Sequence, residues 1–336
     1  MLALIYILIG IFIASVIWQL TNVFNLKKPI ADESDNDQQG KLMFAFMIGF
    51  YILMIYCLWE YNRVLLPEAA SVEGLKYDSL YLITMILILI VQAIMQFLLF
   101  YFAYKYRGVK GTKALFYADS HKLETIWTVT PTVVLAGLII YGLSVWIDIT
   151  DVSDLEDPLV IELYGKQFSW EARYAGEDNS LGRANVRFIK GINTMGVDMT
   201  DLNAADDITV RELHLQKGRP VVFKFRSQDV LHSAFMPHFR AQMNCVPGMV
   251  TQFAYTPNKT TEEMRKNEKI IAKVANINKI RSEKGEDPYE FDYLLLCNKI
   301  CGASHYNMQM KIIVEEEADF KKWMADQKTI TQLINK

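Results

Sequence analysis

The chain has 336 residues and a formal net charge of −3, a length suited to one large domain or two ordinary ones. So mild a charge excludes the broad basic surface that nucleic-acid binding requires. The apolar residues are unevenly spread: 1–147 holds four long uncharged runs, and the remainder reads as a polar soluble domain, with the break near Asp148.

The runs are 1–26, 42–59, 79–104 and 125–147. A membrane-crossing helix needs about 20 mostly apolar residues, and core helices rarely extend so far without a charge. Run 42–59 is at the short end, and Tyr61 and Asn62 extend it into the interface. Four transmembrane helices are therefore predicted, two over 1–62 and a hairpin over 79–147. Run 1–26 has no basic residue ahead of its apolar stretch and no small-x-small cleavage site, and Lys27 and Lys28 follow it. It reads as a retained span, not a signal peptide.

The loop after the third run carries Lys105, Arg107, Lys110, Lys113 and Lys122. Basic loops face the cytoplasm, and Lys27, Lys28 and Lys41, two spans earlier, fall on the same side. The N-terminus and everything from Asp148 onward are then expected on the outer face.

From Leu159 the pattern is mostly alternation, the mark of strands. LVIELYG, QFSWEARY, ITVRELHL, RPVVFKFRS, MVTQFAYT, FDYLLLC and MQMKIIVE are separated by turns at Lys217-Gly218, Pro247-Gly248 and Pro257-Asn258. Short strands so punctuated predict a β-sandwich or Greek-key β-barrel over 148–336. Within it, 260–283 is charged and rich in helix formers, and is expected to be a helical insertion on the surface. DFKKWMADQ near the C-terminus reads as a short amphipathic helix packed on the barrel.

LCNKICGASHYNMQM places Cys297 and Cys301 one helical turn apart, with His305 and Met308 just behind. Two thiols, an imidazole and a thioether are soft and borderline ligands, the set that suits copper. Met308 makes structural zinc the weaker alternative. A further ligand is expected from elsewhere in the fold. Of the five histidines, His121 falls in the inner loop, His214 in a strand and His238 in a loop. His232 in SQDVLHSAF, directly after a strand, is the candidate that can face the cysteine loop.

DVLHS, NCVPGM and CNKICGASHYNM together closely resemble subunit II of haem–copper cytochrome c oxidases. ETIWTVTPTVVL resembles the start of that family's second helix, and YGKQFSW its aromatic segment after the first strand. The resemblance covers roughly 79–320. The first two spans and the 260–283 insertion lie outside it.

The resemblance implies a membrane-anchored cupredoxin-like Greek-key barrel carrying a binuclear copper centre. Cys297 and Cys301 would bridge both coppers, and His232 and His305 would each bind one. Met308 and the backbone carbonyl of Lys299 would be the weak axial ligands. It implies electron delivery from cytochrome c, or a cytochrome c domain, to a haem in a separate subunit I. That subunit reduces oxygen and translocates protons. The chain itself has no Cys-x-x-Cys-His and no intramembrane histidine to hold a haem. Glu124, in its ETIWT context, would lie at the entrance of a proton channel, although a carboxylate there is also an ordinary interfacial residue.

Three positions depart from the family. Lys299 stands where Glu contributes to a magnesium site, and an ammonium cannot replace that oxygen ligand, so the magnesium site is in doubt. Phe168 stands where a Trp is associated with electron arrival, which leaves Trp170, Tyr164 or another aromatic as the route. Asn244-Cys245 replaces Asp-Ala, and Cys245 reads as a small buried residue, not a ligand.

Two other classes compete. A quinol-oxidase subunit II has the same frame without copper, against which every ligand is present here. A membrane-anchored single-copper carrier uses one cysteine, against which there are two. The two added spans point to an added membrane partner, within reach of a respiratory supercomplex. They also favour a bacterial inner membrane over a mitochondrion, with the copper domain periplasmic.

Overall fold

The computed structural model describes residues 2–24 and 32–334. Lys27 and Lys28, on which part of the orientation argument rests, lie outside the described residues. Four helices come first: α1 (Leu2–Phe24), α2 (Glu33–Leu65), α3 (Val72–Lys105) and α4 (His121–Thr150). Three of them, α2, α3 and α4, are long and apolar enough to cross a membrane. In α1 the apolar stretch Ile5–Thr21 is shorter than those spans, so three spans, not four, meet that length. Ile52, Ile55, Ile88, Val91 and Ile139 expose their side chains, as lipid-facing positions do.

The helix α2 begins well ahead of its apolar run because a polar turn is helical too. Asp37 there pairs with Lys41 one turn on at 2.5 Å and with Arg107 at 2.7 Å. It ends at Leu65, just before Pro67, as a helix approaching proline does.

The chain divides into two compact units, 1–61 with 87–121, and 62–86 with 122–336. In the first, Phe12 meets Phe46 at 6.2 Å, Phe46 meets Phe100 at 5.7 Å, and the Tyr51 hydroxyl donates to the Ala93 carbonyl. The second unit holds the β domain.

That domain is a two-sheet sandwich. One sheet has the order β3 (Ile208–Val210), β2 (Ser169–Tyr174), β1 (Leu159–Lys166), β5 (Val221–Ser227), β8 (Thr251–Tyr255). The other runs β4 (Leu213–Gln216), β10 (Gln309–Glu315), β9 (Tyr293–Cys297), β6 (His232–Met236), β7 (Ala241–Cys245). Both are mixed, with β1 parallel to β5 and β4 parallel to β10. Of the two expected forms, sandwich or Greek-key barrel, the strands form a sandwich of two five-stranded sheets. Ile161, Leu163, Phe223 and Phe225 of one sheet and Leu213, Leu295 and Ile312 of the other are fully buried in one core, each such side chain contributing about 1.5–3 kcal/mol.

ITVRELHL is not one strand. The chain changes sheets at Arg211 and Glu212, so that both Ile208 and Leu213 point inward. The pair β6 and β7 has no clear alternation to announce it. His232 follows β5 after a short turn and itself opens β6.

The 260–283 segment forms two helices, α5 (Thr261–Arg265) and α6 (Glu268–Glu283). Thr260 and Glu263 make a reciprocal capping box, and Asn267 caps α6. Only part of the segment is surface: Met264 and Ile270 enter the main core, and the Thr261 hydroxyl accepts from the Val314 N–H at 2.9 Å. Toward the C-terminus, α7 (Glu317–Ala325) packs Phe320 and Trp323 on the sandwich, and α8 spans Ile330–Ile334.

The segment joining α2 to α3 is pinned to the sandwich. Ala70 is fully buried; its N–H donates to the His238 carbonyl at 2.7 Å, and its carbonyl accepts from Asn258 at 3.0 Å. Arg240 holds both carboxylate oxygens of Asp78, at 2.7 and 2.9 Å, and Lys76 pairs with Asp148 near the end of α4 at 2.7 Å.

Candidate metal centre

The first ring of the centre is set by β6. His232 is fully buried, and its Nε2 lies 2.8 Å from Asp229 Oδ1. An ionised carboxylate only accepts, so Nε2 carries the proton and Nδ1 keeps its lone pair. That Nδ1 faces Cys297 Sγ at 3.8 Å. A Cβ at Gly165 would approach the His232 ring to 3.1 Å and Trp170 to 3.0 Å, so the close seat of the ring depends on glycine.

The other groups come from the turn between β9 and β10. Its base is closed by Cys297 N–H donating to the Met308 carbonyl at 3.1 Å, and Asn298 N–H donates to the Ser233 carbonyl at 2.9 Å. The two sulfurs lie 3.9 Å apart, far beyond the ~2.05 Å of a disulfide, and both cysteines are free. Cys301 Sγ is 3.6 Å from His305 Nδ1 and 3.8 Å from Met308 Sδ. The Lys299 carbonyl is 3.2 Å from Cys297 Sγ, while its side chain is exposed. Among the described residues, His232, Cys297 and Cys301 have ligand atoms all within 4.8 Å of one another.

Burial, with the neighbouring Cys297 adding to it, pushes the Cys301 thiol up to about 11. A cation reverses that preference, because a coordinated thiol gives up its proton. Burial opposes ionisation of Asp229 as well. Hydrogen bonds from the Gln167 N–H, the His232 ring and the Val230 N–H outweigh it and hold that carboxyl below its usual range.

The other residues singled out in the sequence are placed differently. Trp170 and Tyr164 are buried, 3% and 0% exposed, so neither offers the domain's surface an aromatic face. Trp170 instead meets His232 edge-on at 6.0 Å, and its Nε1 has no hydrogen-bond partner among the described residues. Phe168 is half-buried and its ring lies against Gly302. A Cβ at Gly302, where φ is +139°, would come within 2.8 Å of that ring. Glu124 is in the first turn of α4, about 40 Å from that helix's last residue at 1.5 Å per residue, and takes no part in the centre. Cys245 is fully buried and pairs with His232 across the β6–β7 ladder.

His214 lies in a strand and His238 in a turn, as expected, but both are buried. His214 stacks on Trp323 at 4.0 Å with Nδ1 2.9 Å from Glu315. His238 lies in a buried turn against Phe291 and Tyr293. Sequence reasoning gave Asp229 and Gln167 no part in the centre. The position of Asp229 three residues before His232 was the available signal.

The fold is thus a β-sandwich joined to long apolar helices, whose strand ends and one turn gather two thiols, two imidazoles and a thioether that could hold a soft metal. Residues 65–145 match the family described as cytochrome C oxidase subunit II, transmembrane domain. The chain is 34% identical over 235 residues to the alternative cytochrome c oxidase subunit 2 of Bradyrhizobium diazoefficiens, covering 69% of this chain and 73% of that one. It is 22% identical over 304 residues to cytochrome c oxidase subunit 2 of Synechocystis sp., covering 84% and 81%. Among solved structures it matches the periplasmic domain of subunit II of cytochrome oxidase of Bradyrhizobium japonicum, with a TM-score of 0.31 and 19% identity over 52% of this chain and 94% of that one. The chain belongs to the cytochrome c oxidase subunit II family, and is thus a membrane-anchored component of an oxidoreductase complex.

Proposed function

We propose that this chain is the electron-accepting subunit of a cytochrome c oxidase, built around a binuclear copper centre. The observation that carries the reading is the placement of the imidazoles. His232 Nδ1 approaches Cys297 Sγ and His305 Nδ1 approaches Cys301 Sγ, so each end of the sulfur pair has its own nitrogen. That donor set fits two copper ions, which Cys297, Cys301, His232 and His305 would hold, with Met308 Sδ and the Lys299 carbonyl as further donors. Copper held there would supply one-electron chemistry between a cytochrome c, or cytochrome c domain, and a haem in subunit I. Sharing one electron over two metals halves the charge change at each.

The protein's part is to hold the ligands still. Cys301 and Met308 are buried, His232 is locked by Asp229, and the turn is closed at its base. Trp170, packed on His232, is an internal relay in this reading, with Phe168 between it and the surface. Glu124 collects protons at the inner membrane face for subunit I. Topology follows the basic loops: the sandwich and the N-terminus are periplasmic in a bacterial inner membrane, α1 included as a fourth span. Lys299 leaves no carboxylate for magnesium at its position. A supercomplex would account for the added helices.

A quinol-oxidase role needs none of these five side chains, and a single-copper carrier needs one thiol. Copper content and the EPR spectrum of the full chain decide the matter. A hyperfine pattern from one electron shared over two coppers is expected. A single-copper pattern, or no bound copper, overturns the reading.

A further inference from the structure

We propose that Gln167 is a positioning residue for the metal turn, holding Cys301 from the opposite sheet; the proposal rests on the copper reading. The turn between β1 and β2, closed by the Lys166–Ser169 pair, reaches the centre at three points. The Gln167 N–H donates to Asp229 Oδ2 at 2.8 Å, and the other oxygen of that carboxylate holds His232. The Gln167 side-chain Nε2 donates to the Cys301 carbonyl. The Phe168 ring covers Gly302, the next residue.

The ligands themselves all belong to the second sheet and its β9–β10 turn. Their anchors at Cys297 and Asn298 fix only the base of that turn. Cys301 lies midway round it, between Ile300, 88% exposed, and the exposed Gly302. A free turn could swing its middle outward, carrying Cys301 Sγ away from His305 and Met308. The Gln167 amide opposes that motion, and through Asp229 the same residue's backbone steadies His232. One two-residue turn thereby ties both sides of the centre to the first sheet. Groups that hold metal ligands in this way carry a large part of metal retention.

Gln167 is itself exposed, so replacing it leaves the core intact. The test compares the full-length chain in detergent, loaded with copper, as wild type, Gln167→Met and Gln167→Glu. Methionine keeps the length and removes the donor; glutamate sets an oxygen against the Cys301 carbonyl. Both variants are expected to unfold at the wild-type temperature and to change the copper hyperfine pattern. Both should lose copper to a Cu(I) chelator about 10-fold faster or more, glutamate faster than methionine. Wild-type spectra and release rates in both variants overturn the role of Gln167 while leaving the copper reading standing. Absence of a shared-electron spectrum in the wild type overturns the copper reading, and this proposal with it.

Discussion

The strand β6 has a buried histidine at its start and another just past its end, and the two are used in opposite ways. His232 gives one nitrogen to Asp229 and turns the other toward a thiol. His238 gives Nδ1 to the Glu68 carbonyl at 2.8 Å and presents its faces and edges to Phe291 and Tyr293. Burial alone does not make a ligand. The difference lies in what the second nitrogen meets: sulfur at one end of the strand, aromatic packing at the other. The first end is built for a metal, and the second fastens the α2–α3 connection to the sandwich.

The sharpest way to break that contrast is Cys297→Ser. It should abolish the shared-electron copper spectrum completely, while the half-buried hydroxyl leaves unfolding within about 1 kcal/mol of wild type. A retained spectrum would place the centre elsewhere.

At the other end, His238→Phe should leave the copper spectrum alone and cost about 1–3 kcal/mol in denaturant unfolding, because the part-buried Glu68 carbonyl loses its donor. It should also alter the pH profile. Burial pushes His238 down to about 4 from 6.5; the Glu68 carbonyl and charge oppose this and the Lys273 and Arg240 charges add to it. The folded state therefore keeps the ring neutral, and the unfolded chain binds a proton first. Stability from this group is complete above pH 6.5 and drains away as the pH falls toward 4. Wild type should lose more stability over that window than His238→Phe; equal losses would show that the ring titrates freely.

The smallest effect is expected at Cys245, across the ladder from His232. Burial pushes its thiol up to about 12. Cys245→Ala should cost about 1–2 kcal/mol through the small cavity it leaves, with no change in the copper spectrum. A shifted spectrum would make Cys245 part of the centre and blur the contrast between the strand ends.

Much of the centre was legible in the sequence, because a turn between two strands keeps Cys297, Cys301, His305 and Met308 near one another in space. His232 was found by its type and its place beside a strand. Its partner Asp229, and Gln167 behind that carboxylate, went unread as such, since a carboxylate or amide in a turn looks the same whether it faces solvent or a ligand. That Trp170 is buried against His232 was not legible either: alternation shows which side of a strand a residue takes, not which sheet will cover it. The sheet change at Arg211 was hidden for a similar reason, as two short strands of matching phase read as one. His238 was hidden most thoroughly, because its partner Glu68 lies 170 positions away.

The pinned α2–α3 connection has a mechanical consequence. The sandwich is joined to the chain's apolar helices at two places, the end of α4 and the start of α3, braced by Lys76–Asp148 and Arg240–Asp78. A domain on a single stalk can swivel about it, whereas one held at two points has lost that axis. Tunnelling rates fall steeply with separation, so under the proposed function a domain held at two points would keep its metal turn at a steadier distance from an electron acceptor.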